Sequence, residues 1–148
     1  MGVGYMLHII KSKDDVLSKI IADDPVRPEI QLEDRLGQYA EIIVSMQDDA
    51  PAAAVCVKYC HAVPSTVEAL LSDKGADIVA IFYTIWSYKP RAGAKLIFQA
   101  RDYVMSTRPD VSRFVTLSPQ TDTARRFHIN NGAVVFRENN STINYEYV

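Results

Sequence analysis

Residues 1–148 are expected to form one mixed α/β domain, on three observations. Short β-prone apolar runs alternate with helix-periodic ones along the whole chain. The second half reads strand, basic Gly-containing turn, helix, strand, helix and strand pair. No linker, internal repeat or low-complexity tract divides the sequence, whose 48% hydrophobic and 23% charged residues are those of an ordinary single core.

The first half is justified element by element. Met6 to Ile10 reads as a strand, and Asp14 to Ala22 as a helix, with Val16, Leu17, Ile20 and Ile21 at helical spacing and two aspartates at its positive end. Pro25 and Pro28 interrupt the chain before Glu29 to Leu36, read as a second short helix that Gly37 ends. Ala40 to Met46 and Ala52 to Ala62 are β-prone and joined by Gln47-Asp48-Asp49-Ala50-Pro51, a hairpin connection. Pro64 and Ser65 open a short helix containing Val67, Leu70 and Leu71, closed by Asp73-Lys74-Gly75. Ala76 to Trp86 is a strand apolar enough to be covered on both faces.

In the second half, Ala92 to Met105 is a helix with Leu96, Ile97, Ala100 and Val104 on one side. Arg113 to Leu117 is a strand, and Pro119 begins a helix through Asn130, with Gly132 at its left-handed C-cap. Ala133 to Glu138 and Thr142 to Tyr147 alternate apolar with polar residues around Asn139-Asn140-Ser141, a terminal hairpin.

Several function classes are set aside at this level. A formal charge of −2, from 16 basic and 18 acidic residues, argues against a dominant electrostatic grip on nucleic acid. The apolar runs are too short for a bilayer-spanning helix, and Met1 to Ile10 has neither the basic stretch nor the small-residue site of a secretory signal, so the cytoplasm is the default address. Cys56 and Cys60 fall on one face of a strand, a poor disulfide geometry, and are read as reduced core residues. His61 points to the other face and no second ligand pair exists, so no metal is expected.

A strand, a phosphate-sized turn and a helix N-terminus make an anion site from backbone N–H groups and helix dipole. Here that unit precedes a second strand and helix ending in Phe127-His128-Ile129-Asn130-Asn131-Gly132-Ala133, and then a hairpin. This order resembles the GNAT N-acetyltransferase superfamily, in which Asn-x-x-Ala-x-x-Phe-Tyr-x-x-x-Gly-Phe closes the acyl-CoA cleft. Thr121, Ala124, Phe127, His128 and Gly132 take the pattern's successive positions, with Ala and Gly kept and Tyr replaced by His. The family's pyrophosphate motif, Gln/Arg-x-x-Gly-x-Gly/Ala, matches Lys89-Pro90-Arg91-Ala92-Gly93-Ala94. Ala92 stands there for the central Gly, where a Cβ could crowd a phosphate; a one-residue slide puts Gly93 in that place instead.

The resemblance implies a mostly antiparallel sheet of six or seven strands flanked by helices, with a V-shaped splay between the fourth and fifth strands. The helix between the third and fourth strands departs from the family's usual tight hairpin. Acetyl-CoA is the implied co-substrate and an unidentified primary amine the acceptor, with a homodimer left open. The pyrophosphate would lie on the N–H groups of Arg91 to Lys95, with Lys89, Arg91 and Lys95 adding charge, and the pantetheine arm beside Tyr83, Thr84, Ile85 and Trp86. The N–H near Thr84 or Ile85 would face the thioester oxygen. His128, with Tyr83 or Tyr88 as substitutes, would hand a proton to the sulfur, either from its charged form or through water. The competing readings are a helix-end histidine packed beside Phe127, aromatic residues that serve the core, and a fold retained as a binding or structural module. Residues Ile78 to Trp86 hold no carboxylate to serve as general base.

Overall fold

A computed structural model describes residues 6–148. Among these residues eight strands form one sheet: β1 Met6–Ile10, β2 Ala40–Gln47, β3 Ala50–Cys60, β4 Val79–Ser87, β5 Arg113–Thr116, β6 Ser118–Pro119, β7 Val134–Glu138 and β8 Thr142–Tyr147. Three α-helices accompany them: α1 Val67–Ser72, α2 Ala92–Thr107 and α3 Asp122–Asn130. The order across the sheet is β1-β2-β3-β4-β5-β8-β6, with β7 on the other side of β8. All pairs are antiparallel except β4 with β5.

Both faces of the sheet are covered. On one, α2 lays Leu96, Ile97, Ala100 and Val104 over Val55, Val57, Ala80 and Phe82. On the other, Ile20, Ile30 and Leu70 pack on Ile42, Cys56, Ile81 and Tyr83. Cys56 and Cys60 are free, buried and in this second core, on one face as their spacing required.

Four local expectations are corrected. Val16–Asp23 is a 3₁₀ helix: Asp15 caps Leu17 N, and Asp24, extended before Pro25, closes the segment by bonding its N–H to Ile21 O, three residues back. The second short helix shrinks to one 3₁₀ turn, Leu32–Asp34. The five-residue connection between β2 and β3 is a two-residue turn, Asp48 and Asp49 both having positive φ of 52° and 62°, so strand pairing reaches Gln47 and Ala50. Pro119 belongs to β6, and α3 starts only after Thr121, whose Oγ1 accepts from Ala124 N. The terminal hairpin forms as its sequence indicates, although every residue of β7 is exposed.

Candidate functional site

The sheet comes apart at one place. Parallel pairing of β4 with β5 ends at Phe82 and Thr116, after which Leu117 N reaches Phe82 O at 3.3 Å. β5 and β6 act as one interrupted run that follows β8 throughout, so beyond Leu117 it leaves β4. A β-bulge sits at the same level: Val57 faces Phe82 and Cys56 faces Thr84, leaving Tyr83 as the extra residue. A bulge re-aims side chains and leaves backbone groups out of the ladder, and here it falls where β4 also loses its other neighbour.

Between the separated limbs lies a cleft of about 230 Å³. Tyr83, Thr84, Ile85 and Trp86 line it from β4, and Thr121, Phe127 and His128 from the α3 side. The sequence reading thus named residues from two distant stretches that the fold brings to one cavity. Ser118, Pro119 and Val26 also line it, Pro119 and Val26 without having been expected there.

The remaining predicted residues form the turn after β4 and the start of α2. Lys89 N bonds to Ala52 O and Ala92 N to Lys89 O, both at 3.3 Å. Pro90 is exposed, and Arg91 adopts a left-handed conformation, φ 66° and ψ −3°, at the helix N-cap. Its side chain makes no capping bond. Lys95 N bonds to Arg91 O, whereas the N–H groups of Gly93 and Ala94 take no acceptor among the described residues. Those two donors stand at the positive end of a 16-residue helix, where an anion is favoured.

Ala92 is fully buried among Ala52, Ala53 and Leu96, so its methyl group belongs to the core. Gly93 is the position where space is short: a Cβ there would come 2.6 Å from Ser87 Oγ and 3.5 Å from the Phe127 ring, both residues of the cleft wall. The glycine of this turn therefore seats the helix start against the cleft.

His128 is 5% exposed, with Nδ1 2.7 Å from the Tyr147 hydroxyl and its ring stacked on Tyr145 at 5.0 Å. Phe127 meets it edge-on. Burial lowers its pKa to about 4, so the ring is neutral at physiological pH. Of the two routes expected for His128, donation from a charged ring or relay through water, this shift disfavours the first. Nε2 makes no hydrogen bond to the described residues, and in the neutral ring the hydrogen sits on whichever nitrogen the Nδ1–Tyr147 bond leaves it. Tyr83 is 2% exposed, its hydroxyl is buried beside Cys56, and burial pushes its pKa far up. Tyr88 donates to Asp23 at 2.6 Å and accepts from Trp86 Nε1 at 3.0 Å, which occupies its hydroxyl at the mouth.

Sequence reading missed the buried network behind β4. Asp24 pairs with Arg35 at 2.7 Å and accepts from Thr84 Oγ1 at 2.8 Å, while Arg27 Nη2 donates to Leu117 O at 2.9 Å. The segment holding Asp24 and Arg27 thereby touches both limbs of the splay. Local sequence gave little signal of it, since residues 27–36 interleave Ile30, Leu32 and Leu36 with Glu29, Gln31, Glu33 and Asp34. Among the described residues no group of three or more His, Cys, Asp or Glu could hold a metal ion, and no helix is long and apolar enough to cross a membrane.

No protein-family model matches the sequence, and no curated protein matches it. Solved structures do match in fold. A malonyl-CoA decarboxylase from Agrobacterium vitis superposes with TM-score 0.68 and 27% identity, covering 82% of this chain and 35% of its own. The GNAT domain of S. lividans PAT gives 0.65 and 11%, covering 97% of this chain and 89% of its own. Campylobacter jejuni N-acetyltransferase PseH, solved in complex with acetyl coenzyme A, gives 0.65 and 9%, covering 97% and 98%. The chain thus spans about a third of that decarboxylase but nearly all of PseH. Strand order, the splay between β4 and β5, and these likenesses agree: the chain has the fold of the GNAT acetyltransferase superfamily.

Proposed function

We propose that the chain binds an acyl-CoA thioester in the cleft between β4 and β6 and transfers its acyl group to an amine. One observation carries this reading: the sheet opens beside a helix start that keeps two backbone donors unengaged, at Gly93 and Ala94. A diphosphate fits those donors, and Lys89, Arg91 and Lys95 would offset its charge. The cleft wall from Tyr83 to Ser87 suits an extended arm. The likenesses to a protein named for malonyl-CoA and to one holding acetyl coenzyme A support a CoA thioester as the ligand.

In the transfer, the acyl carbon leaves sulfur for the amine nitrogen and the amine's proton ends on the thiolate. The chain supplies position first, through an uncoupled β4 edge and its bulge. It supplies a neutral imidazole second, His128 having one nitrogen bound to Tyr147 and the other without a partner among the described residues. The second reading, a fold kept for binding alone, is favoured by the missing carboxylate on β4 and by the neutrality of His128.

Calorimetry and thermal melting with acetyl-CoA test the proposal. Binding should raise the midpoint of unfolding, by mass action, as ligand exceeds its dissociation constant. No heat and no shift at millimolar acetyl-CoA would remove the acyltransferase reading. If acetyl-CoA binds, His128→Phe should lower turnover on a panel of amines with little loss of thioester affinity; unchanged turnover clears His128, and an inactive wild type across the panel favours binding alone.

A further inference from the structure

Two guanidinium groups and one carboxylate are buried together where the limbs of the cleft part. Arg35 and Asp24 form an ion pair with side chains 1% and 0% exposed. Asp24 already accepts hydrogen bonds at both oxygens, Oδ1 from Val26 N, Arg27 N and Thr84 Oγ1 and Oδ2 from Arg35 Nη1, and none of them comes from Arg27's guanidinium. Arg35 is likewise consumed, donating to Ile30 O and Arg27 O as well.

Arg27 is different. The residue is 8% exposed, yet its guanidinium makes one hydrogen bond among the described residues, to Leu117 O, and its fully buried Nε has no partner. Asp24 and the exposed Glu29 are the carboxylates whose charge it feels, and neither lies within ion-pair distance. The cluster thus carries one positive charge more than it neutralises. A cation buried with unmade bonds is costly, and such a group persists where something else compensates it.

Its place gives the compensation a direction. Val26, its neighbour in the chain, lines the cleft. So does Ser118, the neighbour of its acceptor Leu117. Thr84, bound to Asp24, lines it from the bulge. Arg27 itself is not among the residues lining the cleft, but its bond to Leu117 O, where pairing of β4 with β5 ends, places its guanidinium directly behind the apex of the V.

We propose that Arg27 recognises a carboxylate brought into this cleft, carried either by the acyl group of the thioester or by the acceptor amine. The inference rests on the acyl-thioester reading above. A planar guanidinium is suited to a carboxylate because its donors match two oxygens at once, and a protected site strengthens the contact.

Two matched pairs of probes separate the sources. Malonyl-CoA is acetyl-CoA with a carboxylate added, and the two are titrated calorimetrically into the full chain. Alanine is ethylamine with a carboxylate added, and the two are compared as acceptors of acetyl-CoA by kcat/KM. One pair should show a preference of about 10-fold or more for the carboxylate-bearing member, the scale of a charge-assisted hydrogen bond. Arg27→Gln, which keeps a donor for Leu117 O, should abolish that preference. Arg27→Lys, which keeps the cation, should retain part of it and serves if the glutamine variant does not fold. Preference in the first pair assigns the site to the acyl group, and in the second to the acceptor. Acetyl-CoA binding without preference in either pair, or a preference that survives Arg27→Gln, overturns the inference while leaving the acyl-CoA reading intact. Failure of both thioesters to bind brings down the two together.

Discussion

His128 stands where the GNAT pattern that the sequence resembles has tyrosine, and burial keeps its ring uncharged. Its pKa in the folded chain is about 4, against about 6.5 when free, so the unfolded chain binds the extra proton first as pH falls. Stability contributed by the neutral ring is complete above about pH 6.5 and is lost progressively between there and about pH 4, on the order of 3 kcal/mol in total. Urea unfolding at a series of pH values should show this decline, and His128→Phe should flatten it. The same variant leaves the Tyr147 hydroxyl without its 2.7 Å partner, so at pH 7 it should be less stable by about 1–3 kcal/mol. An unchanged pH slope in the variant would place the titration elsewhere.

At the scale of elements, helices and strands follow from pattern wherever a side chain faces one core. Leu96, Ile97, Ala100 and Val104 were readable as the buried face of α2 because the spacing of a long helix is insensitive to its ends. Val16 to Asp23 was misread because eight residues hold too little period to separate an α-helix from a 3₁₀ one. Cleft residues on β4 and α3 were legible through a family pattern, whereas Arg27 and Asp24 were not, since their partners Leu117 and Thr84 lie 90 and 60 residues away. Local sequence also hides the strictness of Gly75, which enters the run to β4 at φ 93°. A Cβ there would stand 2.3 Å from Tyr39 Cδ2 and 2.6 Å from Tyr39 Cβ, so the neighbouring ring cannot simply swing away. Gly75→Ala should cost roughly 2–4 kcal/mol from strain and overlap together, measured by chemical denaturation. A loss below about 1 kcal/mol would mean that Tyr39 has somewhere else to go.

For the whole molecule, Arg35 ties the covering segment to the sheet. Its guanidinium reaches Asp24, Arg27 O, Ile30 O and Cys56 Sγ, while Asp24 continues to Thr84 on β4. Arg35→Met keeps the bulk but strands the Asp24 carboxylate, and should destabilise the fold by about 3–5 kcal/mol. Thermal unfolding of that variant checks it, and Arg35→Met combined with Asp24→Asn should recover part of the loss, because the pair is then removed whole. The sheet's strand order has another effect. β5 sits between β4 and β8, so half of its pairing waits on residues 142–147. A nascent chain still short of those residues holds its middle strand with one side bare. The cleft's far wall, which travels with β8, therefore cannot be set until residues 142–147 have joined the sheet.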